Sequence, residues 1–105
     1  MERHIRKILG GLRYDTATAT RICIHESDES CGDFDFEVTG LYQTPHGRFF
    51  LAGHGGARSR WSRAVQGGYT GGEGLMAIGN REARDFAERN ADEATIAEYF
   101  TVEEA

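Results

Sequence analysis

The sequence predicts an α+β fold, an antiparallel meander of four to five strands followed by two C-terminal helices on one face of the sheet. Three observations carry that expectation. The first half of the chain is rich in β-branched and alternating segments. Turn residues, Gly10-Gly11 and Thr44-Pro45-His46-Gly47, sit between runs of matching length. After Ile78 the apolar residues change to helical spacing, with Asn80 and Asp92 placed to start helices.

Each element follows in order. His4–Leu9 and Leu12–Tyr14 read as a hairpin, because Gly10-Gly11 supplies the positive φ that a type I′ turn needs. Asp15 is suited to accept backbone N–H bonds two residues on, as an Asx turn or cap. The Thr16–Thr20 ladder then feeds a β-branched strand over Ala19–Glu26. Ser27–Asp33 is a polar loop. Next, Phe34, Phe36 and Val38 alternate with Asp35, Glu37 and Thr39, the period of a half-buried strand that continues through Leu41-Tyr42. Its partner, Arg48–Ala52, returns after the Pro45-His46-Gly47 turn.

From Gly53 to Gly74 the glycine content predicts a loop, with one helical turn over Ser59–Val65 that sets Trp61 and Val65 at i, i+4. Leu75–Ile78 is apolar and fits one more strand. Asn80 as N-cap opens a helix with Ala83, Phe86 and Ala87 on its buried side. A second helix from Asp92 buries Ile96, Ala97, Tyr99 and Phe100, and the tail from Glu103 frays.

A chain of 105 residues makes one domain, residues 1–105. No window holds 18 apolar residues, so no membrane span is expected. The N-terminus lacks the apolar core of a secretory signal. Cys23 and Cys31 are spaced for neither a redox motif nor a zinc site, which suits reduced thiols in a cytoplasm, with a local disulfide as the alternative.

The net charge of −5 is distributed in blocks. Basic residues dominate up to Arg21, six acids stand between Ile22 and Gly47 without a Lys or Arg, and four arginines follow up to Arg63. Such an acidic chain is a poor general nucleic-acid binder, because phosphate neutralisation needs an excess of basic groups. Catalytic signatures are lacking as well. Gly53-His54-Gly55-Gly56 has no nucleophile elbow to serve, and Gly67–Gly74 lacks the Gly-Lys-Ser/Thr ending of a phosphate loop and carries Glu73. Cys23, His25, Cys31 and His46 match no standard zinc spacing. The chain is therefore expected to need no cofactor or metal, to act on no small-molecule substrate and to be no enzyme.

Two segments remain as candidate partner-binding residues. Asp28, Glu29, Asp33, Asp35 and Glu37 form an acidic stripe, with Asp35 and Glu37 on the strand face opposite Phe34 and Phe36. Such a stripe suits a basic partner better than a catalytic dyad. Arg58, Arg60 and Trp61 belong to a basic segment, Arg58–Arg63, to which three roles are open. Trp61 caps the core while the arginines meet the acids; or Trp61 and the arginines anchor a protein interface; or they contact nucleic acid.

The motif Gly11-x-Arg13-Tyr14-Asp15-Thr16-x-Thr18-Ala19 is followed by Leu41-Tyr42-x-Thr44-x-x-Gly47-x-x-Phe50-Leu51-x-Gly53-x-Gly55-Gly56, then Gly71-Gly72-Glu73 and the helix from Glu82 to Glu88. In order and spacing this resembles a widespread family of small proteins encoded by phages, plasmids and integrated elements of bacteria. The resemblance spans roughly residues 8–100. It implies an anti-CRISPR protein, a non-enzymatic inhibitor that binds a host CRISPR effector, of the multi-subunit type I kind, and occludes a surface. An acidic stripe in a basic groove would then act as a DNA mimic. The alternative is a phage accessory or regulatory protein that contacts nucleic acid through Arg58–Arg63. The chain departs from the family pattern at Thr39-Gly40 and at Ala77-Ile78-Gly79-Asn80.

Overall fold

In chain order the strands are β1 (Arg6–Leu9), β2 (Leu12–Asp15), β3 (Thr20–Glu26), β4 (Glu37–Gln43), β5 (Phe49–Gly55), β6 (Arg63–Val65), β7 (Gly68–Thr70) and β8 (Gly72–Ile78). Two helices follow, α1 (Asn80–Asn90) and α2 (Glu93–Tyr99). The computed structural model describes residues 3–27 and 33–105. Asp28, Glu29 and Cys31, named above, lie outside the described residues.

The central sheet is antiparallel in the order β3-β4-β5-β8, so the fold is α+β as the sequence predicts. The hairpin β4–β5 is its spine, with Leu41 opposite Leu51 and Tyr42 opposite Phe50. Its turn closes where Gly47 takes φ +87°, a left-handed conformation that favours glycine. A register shift between Arg21 and Cys23 bends β3 against β4. The pairs β1–β2 and β6–β7 are separate two-stranded ribbons.

Alternation sorts the side chains into two packed layers. On one face Leu41, Phe49 and Leu51, with Ile22, meet Ala83, Phe86 and Ala87 of α1. Phe100, just past α2, stacks on Phe49 with ring centroids 5.3 Å apart. On the other face Tyr42, Phe50, Ala52 and Leu75 are covered by Tyr14, with Ile5, Leu9 and Ala19 around it. Phe50 is the centre of this layer, stacked on Tyr42 at 5.1 Å and met edge-on by Tyr14 at 5.6 Å. The helices cover one face, as expected, and the first hairpin with its flanks covers the other.

Local signals hold in several places. Asp15 Oδ1 accepts from the Ala17 N–H at 2.8 Å, the Asx turn expected after Tyr14. Asp92 caps α2 by accepting from the Thr95 N–H at 2.8 Å. At α1 the cap is Gly79, and Asn80 is the first helical residue. Ala97 is exposed, while Ile96, Tyr99 and Phe100 are partly buried.

Three expectations about the strands and the glycine-rich segment are corrected. The strand expected from Phe34 begins only at Glu37, and Phe34 is 64% exposed. Residues 33–36 turn instead, because Asp33 Oδ1 accepts from the Asp35 N–H, and the Phe34 and Phe36 carbonyls accept from Arg58 and Gly56. The glycine-rich segment is mostly sheet: β5 runs to Gly55, β6–β7 forms a hairpin, and β8 starts at Gly72. Ser59–Val65 makes turns and a strand rather than a helical turn, and Trp61 and Val65 share no face: Trp61 is buried and Val65 exposed. No helix among the described residues is long and apolar enough to cross a membrane.

Candidate functional site

Strand register sets Thr39, Gly53 and Gly74 side by side across β4, β5 and β8. The next rung holds Glu37, Gly55 and Gly72. Four positions of this sheet surface therefore carry no side chain, and the segment 56–62 folds back into the space. A Cβ at Gly53 would stand 2.7 Å from Trp61 Nε1, and one at Gly74 would stand 2.9 Å from Trp61 Cε3. The glycines are what let the indole lie on the backbone.

From the indole a chain of hydrogen bonds runs outward. Trp61 Nε1 donates to Thr39 Oγ1 at 2.9 Å, inside the protein. Thr39 Oγ1 donates to Glu37 Oε2 at 2.7 Å. Glu37 accepts from the Arg60 N–H at 3.1 Å and pairs with the Arg60 guanidinium at 2.9 Å. Arg60 in turn lies over the Phe86 ring of α1 at 5.8 Å. Burial by itself would raise the Glu37 carboxyl. The hydrogen bonds from Thr39 and Arg60, with the Arg60 charge, outweigh it and hold the group below its ordinary value.

Farther out, Arg58 pairs with Asp35 at 2.8 Å and lies over Phe34 at 5.8 Å. Both partners of this pair are about half exposed, so it contributes little to stability. The structure thus brings five sequence-predicted residues into one patch: Asp35, Glu37, Arg58, Arg60 and Trp61. In the segment Arg58–Arg63, Trp61 caps the core and Arg58 and Arg60 meet the acids, while Arg63 lines the neighbouring cleft. The acidic stripe is corrected accordingly. Asp35 sits in a turn and shares no strand face with Glu37, whose side chain is only 13% exposed. Asp33 is exposed and spends one carboxylate oxygen on the Asp35 N–H.

Sequence reasoning missed the ribbon β6–β7 that leaves this patch. Its turn places Gly67 at φ +87°, and it presents Val65, 49% exposed, and Tyr69, 68% exposed. The signal was available, since Val65-Gln66-Gly67-Gly68-Tyr69 has the same Gly-Gly punctuation as Gly10-Gly11. At its root lies an open cleft of about 800 Å³, lined by Arg3, Phe36, His54, Arg63 and Glu73 over backbone of Gly55, Gly56, Gly71 and Gly72. Arg3 pairs with Glu73 across it at 3.0 Å. Burial, and then the Arg3 charge, push the His54 imidazole down and favour its neutral form.

Among the described residues no group of three or more His, Cys, Asp or Glu side chains is placed to hold a metal ion. Cys23 is a free thiol, and burial pushes its titration up, which favours the protonated form. Compared with known proteins, the chain matches no family model, no curated protein and no solved structure.

Proposed function

We propose that this protein works by binding, covering part of a macromolecular partner without chemistry, and that the β6–β7 ribbon makes the central contact. The observation that carries the reading is Tyr69, an aromatic side chain 68% exposed on a ribbon that pairs with no other strand among the described residues, with Val65 exposed on its opposite face. Tyrosine joins large apolar area to a polar tip at low entropic cost, which is why it is enriched at the energetic centres of interfaces. The partner comes from the sequence resemblance: a CRISPR effector of a bacterial host, inhibited by a protein of a phage or mobile element.

The charge geometry bears on how such an inhibitor would act. Asp35 and Glu37 face Arg58 and Arg60, so these acids have little field left for mimicking a nucleic-acid backbone. The same pairs leave the arginines poorly placed to grip phosphates. Surface occlusion through the ribbon is favoured over both.

The test is capture of a purified multi-subunit type I effector by the intact protein and by a Val65→Ser/Tyr69→Ala variant. The expected outcome is a loss of affinity of about thirtyfold or more, with an unchanged unfolding midpoint. Equal capture by both proteins would sink the ribbon as the contact. Failure of the intact protein to bind would sink the partner.

A further inference from the structure

We infer that the cleft between the β1–β2 turn and the β4–β5 turn is a binding site for a small organic anion, a phosphate or carboxylate carried on a ring. This site is remote in sequence from β6–β7 and stands or falls independently of the ribbon reading.

The cleft measures about 610 Å³, within the range of small-ligand pockets. One wall is Leu12, Arg13 and Tyr14, and the other is Pro45, His46 and Arg48. No Asp or Glu lines it, and neither Arg13 nor Arg48 meets a carboxylate among the described residues. Asp15, the acid next to Tyr14, is engaged elsewhere, by the Ala17 N–H and His4. In a chain of net charge −5 this is an uncompensated cationic island. Elsewhere Arg3, Arg58 and Arg60 are paired with acids, while Arg63, Arg84 and Arg89 line clefts that also hold Asp or Glu.

Both walls are held in place before any ligand arrives. Tyr14 is 6% exposed and locked edge-on against Phe50. The opposite turn is closed by Thr44, whose N–H donates to the Arg48 carbonyl, whose carbonyl accepts from the Gly47 N–H and whose hydroxyl accepts from the Arg48 N–H. Gly11 at φ +80° and Gly47 at φ +87° fix the two bends. Two guanidinium groups on rigid bases suit forked recognition of phosphate or carboxylate oxygens. Leu12, 39% exposed, and the exposed Pro45 offer the apolar surface that a ring would cover, and the buried Tyr14 backs it. Arg13 and Tyr14 belong to Gly11-x-Arg13-Tyr14 and Arg48 directly follows Thr44-x-x-Gly47, two stretches far apart in sequence that the fold sets face to face.

The experiment is a titration of the full chain with phenyl phosphate, followed by backbone amide NMR, with inorganic phosphate, benzoate and phenol as separate arms. Saturable shifts confined to residues 11–14 and 44–48 are expected with phenyl phosphate or benzoate, with weaker binding of inorganic phosphate and of phenol. An Arg13→Gln/Arg48→Gln variant should bind at least about tenfold more weakly, because two charge-assisted contacts are lost. An Arg63→Gln variant should bind as the parent does. The proposal is overturned if neither aromatic anion shifts these amides saturably, or if the double variant keeps full affinity.

Discussion

Segments 56–62 and 63–70 are neighbours in the chain, similar in composition and opposite in fate. Each has an aromatic residue, arginine and nearby glycine, yet Trp61 is 6% exposed and Tyr69 is 68% exposed. The difference lies beneath them. Trp61 meets a sheet surface cleared by Gly53 and Gly74, with the Thr39 hydroxyl waiting for its N–H. The β6–β7 ribbon meets that floor at its root, where Arg63 lies over Gly72, and beyond it the two strands pair only with each other. An aromatic residue is buried or presented according to whether the sheet below it carries side chains.

The strongest way to break this contrast is Trp61→Ala, which removes the cap and orphans part of the Thr39–Glu37–Arg60 chain. It should cost about 4 kcal/mol, a large share of the stability of a domain this size, read as a lowered urea midpoint. Gly53→Ala attacks the same contact from below. Its Cβ would collide with the Val38 carbonyl and the indole, so a loss of about 2–3 kcal/mol is expected in the same measurement.

Glu37→Gln tests the electrostatic part and should cost about 1–2 kcal/mol at neutral pH. It also changes the pH profile. The folded-state pKa of Glu37 is depressed below its ordinary 4.5, so its contribution is complete above that value and is lost as pH falls through the folded one. Unfolding midpoints measured between pH 7 and pH 3 should therefore fall less steeply below about 4.5 in Glu37→Gln than in the parent. Asp15 and Asp92, held down by the Ala17 N–H and by Thr95, keep a residual slope of the same sign. The smallest effect belongs to Tyr69→Ala. With no packing to lose, it should shift stability by less than about 0.5 kcal/mol, and a larger change would mean that the ribbon is part of the core.

The sequence was most informative where one local signal decided the outcome. The Pro45-His46-Gly47 turn, the Asp15 and Asp92 caps and the Ala83-Phe86-Ala87 stripe each depend on a few adjacent residues. It misled where a pattern had two physical explanations. Phe34 and Phe36 alternate as a strand would, but the Asp33 side chain and the segment 56–58 claim their backbone first. Gly53–Gly74 reads as a loop because glycine lowers strand propensity. Here the missing side chains are what a second layer of chain requires, and only the register of three strands makes that visible. The pairing of Asp35 and Glu37 with Arg58 and Arg60 joins residues more than twenty positions apart, so charge blocks alone left it as one of three readings.

The chain contains a single tryptophan, and it sits at the junction of three strands, a loop and α1. Its emission is thus a built-in optical gauge of that junction, with no label required. Lifting of the indole off Thr39 and Gly53 into water would move its spectrum to longer wavelength while the remaining sheet stayed folded. Recorded beside circular dichroism, that signal separates lifting of the 56–62 segment from global unfolding. The protein carries its own reporter where the 56–62 segment meets the sheet.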